Sequence, residues 1–194
     1  MRSSREIFEE GKHLMVEGKF GESVREFTKA IDAGEKSEVV FLSRGVAYLR
    51  DHKADEAIRD FDEVVKTNDG NVRAHYYRGV AYMTKDGFKS AISDFDRTIE
   101  LDPENGSAFF ARGTAYSMIG NEELATKNIK TAISLSEANT YGLQETIGLL
   151  RTQFDNITSI MRGDRKPSGM TLNEHETKVL KGWLEEGYKV ERDH

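Results

Sequence analysis

The 194-residue chain has no cysteine, only two prolines and a single tryptophan. Without a thiol there is no disulfide, no thiolate nucleophile and no zinc–thiolate centre, and nothing points to an oxidising compartment. Long apolar runs are missing too. No stretch approaches the roughly 18 apolar residues of a membrane span, and the opening "MRSSREIFEEGKHL" carries no apolar core like that of a signal peptide. An excess of positive charge is also lacking: 34 acidic residues against 28 basic ones give a net charge of −6, which argues against non-specific attraction to nucleic acid or anionic membrane. The expectation is a soluble, cytoplasmic protein with neither a nucleic-acid nor a membrane partner. Hydrophobic residues make up 37% and charged residues 32%, a mixture that fits a surface-rich helical protein better than a compact mixed sheet.

Chemical signatures are equally sparse. There is no phosphate loop, no dinucleotide glycine motif and no strand to carry either. The five histidines show no metal spacing, and "HETKV" at 175–179 lacks the second histidine of a zinc-protease helix. Asp60/Asp62 and Asp94/Asp96 are i, i+2 pairs, which on a helix point to different sides and make poor general acid–base couples. No catalytic residue, metal or cofactor is expected.

What the chain does have is a period. The octets "FLSRGVAY" (41–48), "HYYRGVAY" (75–82) and "FFARGTAY" (109–116) align with a weaker "IFEEGKHL" (7–14), and their glycines, Gly11, Gly45, Gly79 and Gly113, stand 34 residues apart. A fixed interval of this length is the mark of stacked repeats. After each octet come Ala57, Ala91 and Ala125, then Phe61, Phe95 and Ile129, then a polar break ("TNDGN", "LDPENG", "LSEAN"). Apolar residues between breaks recur at steps of three and four, so each unit reads as two amphipathic helices, with Gly18, Asp86–Gly87 and Gly120–Asn121 at the inner turns. The octet glycine is expected where the two helices cross too closely for a Cβ, which offsets its poor helix propensity.

These positions resemble the tetratricopeptide repeat family, with a large residue (Ile7, Phe41, His75, Phe109), the glycine, a tyrosine (Tyr48, Tyr82, Tyr116; Leu14 in the first unit), the alanine and, in the third unit alone, the closing Pro103. The resemblance implies an all-α, right-handed superhelix of four repeats (4–37, 38–71, 72–105 and 106–139). A capping helix is expected at 140–162, a linker at 163–170 and an amphipathic C-terminal helix at 171–194, opened by a Thr171/Glu174 capping box.

Arg44, Arg78 and Arg112 occupy a place that is usually apolar in the family. Sixteen residues later stand Asp60, Asp94 and Asn128, at a similar height on the second helix of each unit, so a bond within each repeat is expected, with phosphate or ligand binding as the alternative. The first repeat has Glu10 and Glu26 there and cannot make the pair.

By the same resemblance, the first helices would line a concave, peptide-binding groove with Phe8, Lys12 and Met15; Leu42, Val46, Leu49 and Arg50; Arg73, Tyr76, Tyr77, Val80 and Met83; and Phe110, Thr114 and Met118. Of the family's carboxylate clamp only Arg73 and Lys12 fit, so a ligand with apolar side chains is expected rather than an acidic C-terminus. The function expected is a non-enzymatic interaction module for a protein or peptide, of adaptor, scaffold or co-chaperone type. The alternative is a homo-oligomeric scaffold that assembles through its C-terminal helices and groove. RNA binding is disfavoured by the acidic balance and the strict 34-residue period.

Overall fold

The computed structural model describes residues 2–136, 173–179, 181 and 182. Eight helices account for most of them: α1 (Ser4–Val16), α2 (Phe20–Asp32), α3 (Glu38–Arg50), α4 (Ala54–Thr67), α5 (Val72–Thr84), α6 (Phe88–Leu101), α7 (Gly106–Met118) and α8 (Glu122–Ser136). No strand occurs among the described residues. First helices begin at 4, 38, 72 and 106 and second helices at 20, 54, 88 and 122, so both series keep the 34-residue step. The capping helix expected at 140–162 and the linker at 163–170 lie outside the described residues.

Local sequence explains where the helices start and stop. Ser3 and Glu6 form a reciprocal capping box ahead of α1, while Asn71 and Asn105 accept hydrogen bonds from the amides of Ala74 and Ala108 at 3.1 and 3.0 Å. The asparagines that close the breaks "TNDGN" and "LDPEN" are thus helix caps. At the opposite ends a left-handed residue recurs with the same period: Gly18 (φ 74°), His52 (57°), Asp86 (57°) and Gly120 (79°). Around three of these, the amide three residues past the helix reaches back to the carbonyl five residues earlier (Lys19 to Leu14, Lys53 to Tyr48, Asn121 to Tyr116), the double-bonded closure typical of a left-handed helix end. The glycines at 18 and 120 sit as the sequence implies. In the third unit it is Asp86, not Gly87, that turns left-handed, and in the second a histidine does so.

The chain divides into two units, one ending at Lys85 and one starting at Asp86. In the first, α1 packs on α2, α2 on α3, α3 on α4 and α4 on α5. Val24, Phe27 and Ala47 form a buried cluster with Phe8, Met15 and Tyr48 against it, and Phe8 meets Phe27 at 5.5 Å between ring centroids. The octet glycines make this packing possible. A Cβ on Gly11 would stand 2.6 Å from the Phe27 ring, and one on Gly45 2.5 Å from the Phe61 ring. Phe61 in turn stacks on Tyr77 at 6.0 Å, tying α4 to α5. His75, in the large-residue slot, is buried with Nε2 3.0 Å from the Asp69 carbonyl.

In the second unit α7 packs on α6 and on α8. Gly113 faces Ile129, and Phe110, Ala125, Ala132 and Ile133 are buried. Thr126 Oγ1 is buried with no hydrogen-bond partner among the described residues. Residues 174–179 are helical and Asn173 and Glu176 form a capping box ahead of them (2.8 and 2.9 Å), while Thr171 of the expected Thr171/Glu174 pair lies outside the described residues. An Asn–x–x–Glu spacing serves the same two donors as Thr–x–x–Glu, so the sequence offers both registers. Glu176 also lies 3.5 Å from Lys130 Nζ, which sets this segment beside α8.

Candidate protein-binding surface

The residues expected to line a groove divide by burial. Leu42, Val46, Leu49, Tyr77, Val80, Met83, Phe110 and Thr114 are buried. They are packing side chains in this structure. The cause is visible for Tyr77, held between the Phe61 ring and the edge of Tyr76 (5.3 Å), and for Thr114, whose hydroxyl donates to the Phe110 carbonyl at 3.0 Å. Phe8, Met15, Arg50, Tyr76 and Met118 are half-buried, and Lys12 and Arg73 are exposed.

Within the first unit the accessible members combine apolar body with positive charge. Lys12 Nζ stands 5.4 Å from the centre of the Phe8 ring and 2.7 Å from Glu9, and the Arg73 guanidinium stands 5.9 Å from the centre of the Tyr77 ring. Sequence reasoning missed Val39, on the first turn of α3, which is 57% exposed. Its signal was an apolar residue just ahead of the octet, hidden in the run "EVVFL".

The arginines answer a different question. Arg44 forks onto Asp60 with Nε and Nη2 at 2.8 and 2.7 Å from the two carboxylate oxygens. Arg112 donates to Asn128 at 2.8 Å. The expected bond sixteen residues ahead is therefore present in both places, while Arg78 and Asp94 fall in different units. A second set of bonds was not foreseen. Each arginine also reaches sixteen residues back, to the second helix of the preceding pair: Arg44 to Thr28 (3.2 Å), Arg78 to Asp62 (2.8 Å) and Arg112 to Asp96 (2.5 Å). Burial pushes the Asp60 carboxyl above the ordinary aspartate range even though Arg44 pulls it down, and the hydrogen bonds to Asp60 raise Arg44 in turn. The guanidinium stays charged at any pH the fold survives, so the pair is a fixed ionic staple rather than a proton donor.

Beside this staple α3 and α4 border an open surface cavity of about 420 Å³ that carries both aromatic and acidic walls. No group of three or more histidine, aspartate or glutamate side chains among the described residues is arranged to hold a metal ion, and no described helix is long and apolar enough to cross a membrane.

Comparison with known proteins gives this geometry a family. Residues 42–104 match the tetratricopeptide repeat family. No curated protein sequence matches the chain. Among solved structures, YrrB, described as a tetratricopeptide repeat protein with an unusual peptide-binding site, is 22% identical, with 74% of each chain covered and a TM-score of 0.65. MamA from Desulfovibrio magneticus RS-1, from its residue 41 to the end, is 16% identical over 87% of this chain and 99% of its own, with a TM-score of 0.66. The first tetratricopeptide repeat domain of Spaghetti (RPAP3), bound to the HSP90 peptide SRMEEVD, is 24% identical over 63% of this chain and 94% of its own, with a TM-score of 0.51. With helix starts recurring every 34 residues, glycines seated against the following helix, and this sequence match, residues 42–104 are tetratricopeptide repeat sequence and the chain has the all-α fold of helix–turn–helix pairs.

Proposed function

We propose that the chain is a protein–protein interaction module that holds a peptide or protein segment against the first helices of its N-terminal unit. The observation that carries this reading is the grouping of half-buried apolar and aromatic side chains, Phe8, Met15 and Tyr76, with the cations Lys12, Arg50 and Arg73 on α1, α3 and α5. Half-buried rings and thioethers keep contact area in reserve, because part of their surface is still in water and can be covered at little cost in side-chain entropy. Cations at their edges suit a ligand that brings apolar anchors and a carboxylate or backbone carbonyls. The fold supports the same reading: YrrB and the Spaghetti domain are helical-pair structures with peptide ligands or peptide sites. Four repeats at 4–37, 38–71, 72–105 and 106–139 are the frame on which this surface is offered.

The test is a peptide-display selection on the full chain, followed by fluorescence anisotropy of the selected peptide with wild type and with Arg73→Ala and Tyr76→Ala. A central aromatic or arginine anchor is worth about 1–2 kcal/mol, so each variant is expected to weaken binding by roughly tenfold. Peptides retained equally by wild type and both variants would remove this surface from consideration. Sedimentation of the free chain over a wide concentration range addresses the alternative, a homo-oligomeric scaffold, which predicts a mass that rises with concentration and needs no foreign ligand.

A further inference from the structure

The cavity between α3 and α4 lies beside a different ridge from the surface just described. On α3 its wall is Phe41, Arg44 and Tyr48, spaced i, i+3 and i+7; on α4 it is Glu56, Asp60 and Glu63, spaced i, i+4 and i+7, with Arg59 and Asp62 alongside. Four carboxylates and two cations face about 420 Å³ of open space. Arg44 already displays what these walls hold. Its guanidinium stands 5.8 and 5.7 Å from the ring centres of Phe41 and Tyr48 while forking onto Asp60. Once Arg44 has taken Asp60 and Arg78 has taken Asp62 (2.8 Å), the remaining charges are Glu56, Glu63 and Arg59. Arg59 approaches Glu56 only to 3.6 Å and is 71% exposed, a contact worth little in water and readily exchanged. Glu63 makes no ion pair within 4 Å among the described residues. The open part of the cavity is therefore bounded by ring surface and by carboxylates that a further cation can satisfy.

The fourth repeat provides an internal control. There Arg112 lies 5.2 Å from the Phe109 ring centre, so the α3 side of the arrangement is reproduced by α7. The positions on α8 that match Glu56, Arg59, Asp60, Asp62 and Glu63 are Leu124, Lys127, Asn128, Lys130 and Thr131, without one carboxylate and with two lysines. The first repeat has Ile7 and Leu14 where the rings would be. Rings and acids coincide in the second repeat and not in the first or fourth.

We propose that the α3/α4 cavity of the second repeat is a site for an arginine side chain of a basic partner segment. A planar guanidinium stacks on aromatic faces and forks onto carboxylates, whereas an ammonium can do only the second as a point charge. The neutral face of a peptide would gain nothing from Glu56 and Glu63. The site contributes a single anchor, so its intrinsic affinity for one amino acid is millimolar, and a partner would use it together with other contacts.

The experiment is a titration of the full chain, followed by amide chemical shifts, with three small probes: N-acetyl-arginine amide, N-acetyl-lysine amide and N-acetyl-citrulline amide, the last a neutral isostere of arginine. The arginine probe is expected to shift amides of 41–48 and 56–63 saturably, lysine to bind several-fold more weakly, and citrulline to leave them unmoved. Glu56→Gln with Glu63→Gln leaves the Arg44–Asp60 staple intact and should weaken the arginine probe about fivefold or more. Citrulline acting like arginine, lysine equalling arginine, an unaffected double variant or shifts absent from these two segments would each overturn the assignment. None of these outcomes depends on the peptide surface carried by Arg73 and Tyr76.

Discussion

Gly45→Ala probes the contact on which the helical pair is built. Gly45 is buried at the middle of α3, and a Cβ there would lie 2.5 Å from one carbon of the Phe61 ring and 2.9 Å from two others. Carbon atoms attract best at about 3.5–4.0 Å, so the overlap approaches 1 Å. The ring has little room to retreat, since Phe61 is fully buried and Tyr77 is stacked behind it. Two terms oppose each other. Alanine gains about 1 kcal/mol over glycine in a helix interior, and overpacking a rigid core costs about 1–3 kcal/mol, here at the upper end. The net expectation is a loss of about 2 kcal/mol. Shortening the ring reverses the sign: in a Phe61→Leu background the clash is gone, so Gly45→Ala should stabilise by about 1 kcal/mol, a coupling of about 3 kcal/mol between the two sites. Equilibrium urea unfolding followed by helical circular dichroism, with unchanged slopes as the check on cooperativity, measures all four proteins. A Gly45→Ala protein as stable as wild type, or a coupling near zero, would refute the claim that the glycine is there for the ring. Gly113 is the contrast. Its nearest side-chain neighbour, Ile129 Cγ1, would be 3.0 Å from an added Cβ and is aliphatic, so Gly113→Ala should cost clearly less.

Arg44→Met keeps the side-chain stem but strands a buried carboxylate, so a loss of about 3 kcal/mol is expected by urea unfolding, against less than about 1 kcal/mol for Asp62→Ala at the exposed end of the same ladder. Burial holds the Asp60 pKa up, and a charged group so raised is penalised fully above its folded pKa and not at all below its unfolded one. The Arg44→Met loss should therefore shrink as pH falls through the Asp60 pKa. His52→Gly, at a φ of 57° that glycine adopts freely, should raise the thermal midpoint, with a gain of up to about 1 kcal/mol; a lower midpoint would count against the left-handed helix end. Thr126→Val removes a buried hydroxyl that has no described partner and keeps its shape, for an expected gain of about 1 kcal/mol in the same assay.

The fold was legible because its constraints are local and repeated. A glycine every 34 residues reports a close crossing, an alanine reports the hollow opposite, and an asparagine at the end of a polar break reports a cap, each from one position. His52 was not legible, since histidine carries no turn signal; only its place, 34 residues after Gly18 and 34 before Asp86, gives it away. The arginine bonds show the same division. The acceptor sixteen residues ahead could be found because an acid recurs there in step with the arginine. The acceptor sixteen residues back was overlooked because its identity changes from threonine to aspartate along the chain, and only the packing of each first helix against the preceding second helix brings it near. The binding surface was the least legible part. Burial of Leu42, Val46, Tyr77 and Val80 depends on what lies over a helix face, and a helical period tells which residues share a face without telling whether that face is covered.

The arginine ladder changes character at α1 and α8, the first and last of the eight helices. Between successive pairs a cation on the first helix takes an oxygen on the helix before it, in three places by three arginines. On α1 the matching residue is the exposed Glu10, and Glu6 and His13 stand where α3 has the buried Val40 and Ala47. At the other end, the residue that continues the series Thr28, Asp62 and Asp96 is Lys130. A further repeat of the internal kind, stacked on α8, would bring an arginine to a lysine and leave both without an acceptor. The chain instead brings Glu176 of its C-terminal segment to Lys130. Reversing the sign on α1 and α8 costs little, because exposed pairs contribute little stability, yet it removes there the arginine contact seen at the three described joints. The ladder's chemistry therefore differs at α1 and α8 from that of the joints between α2 and α3, α4 and α5, and α6 and α7.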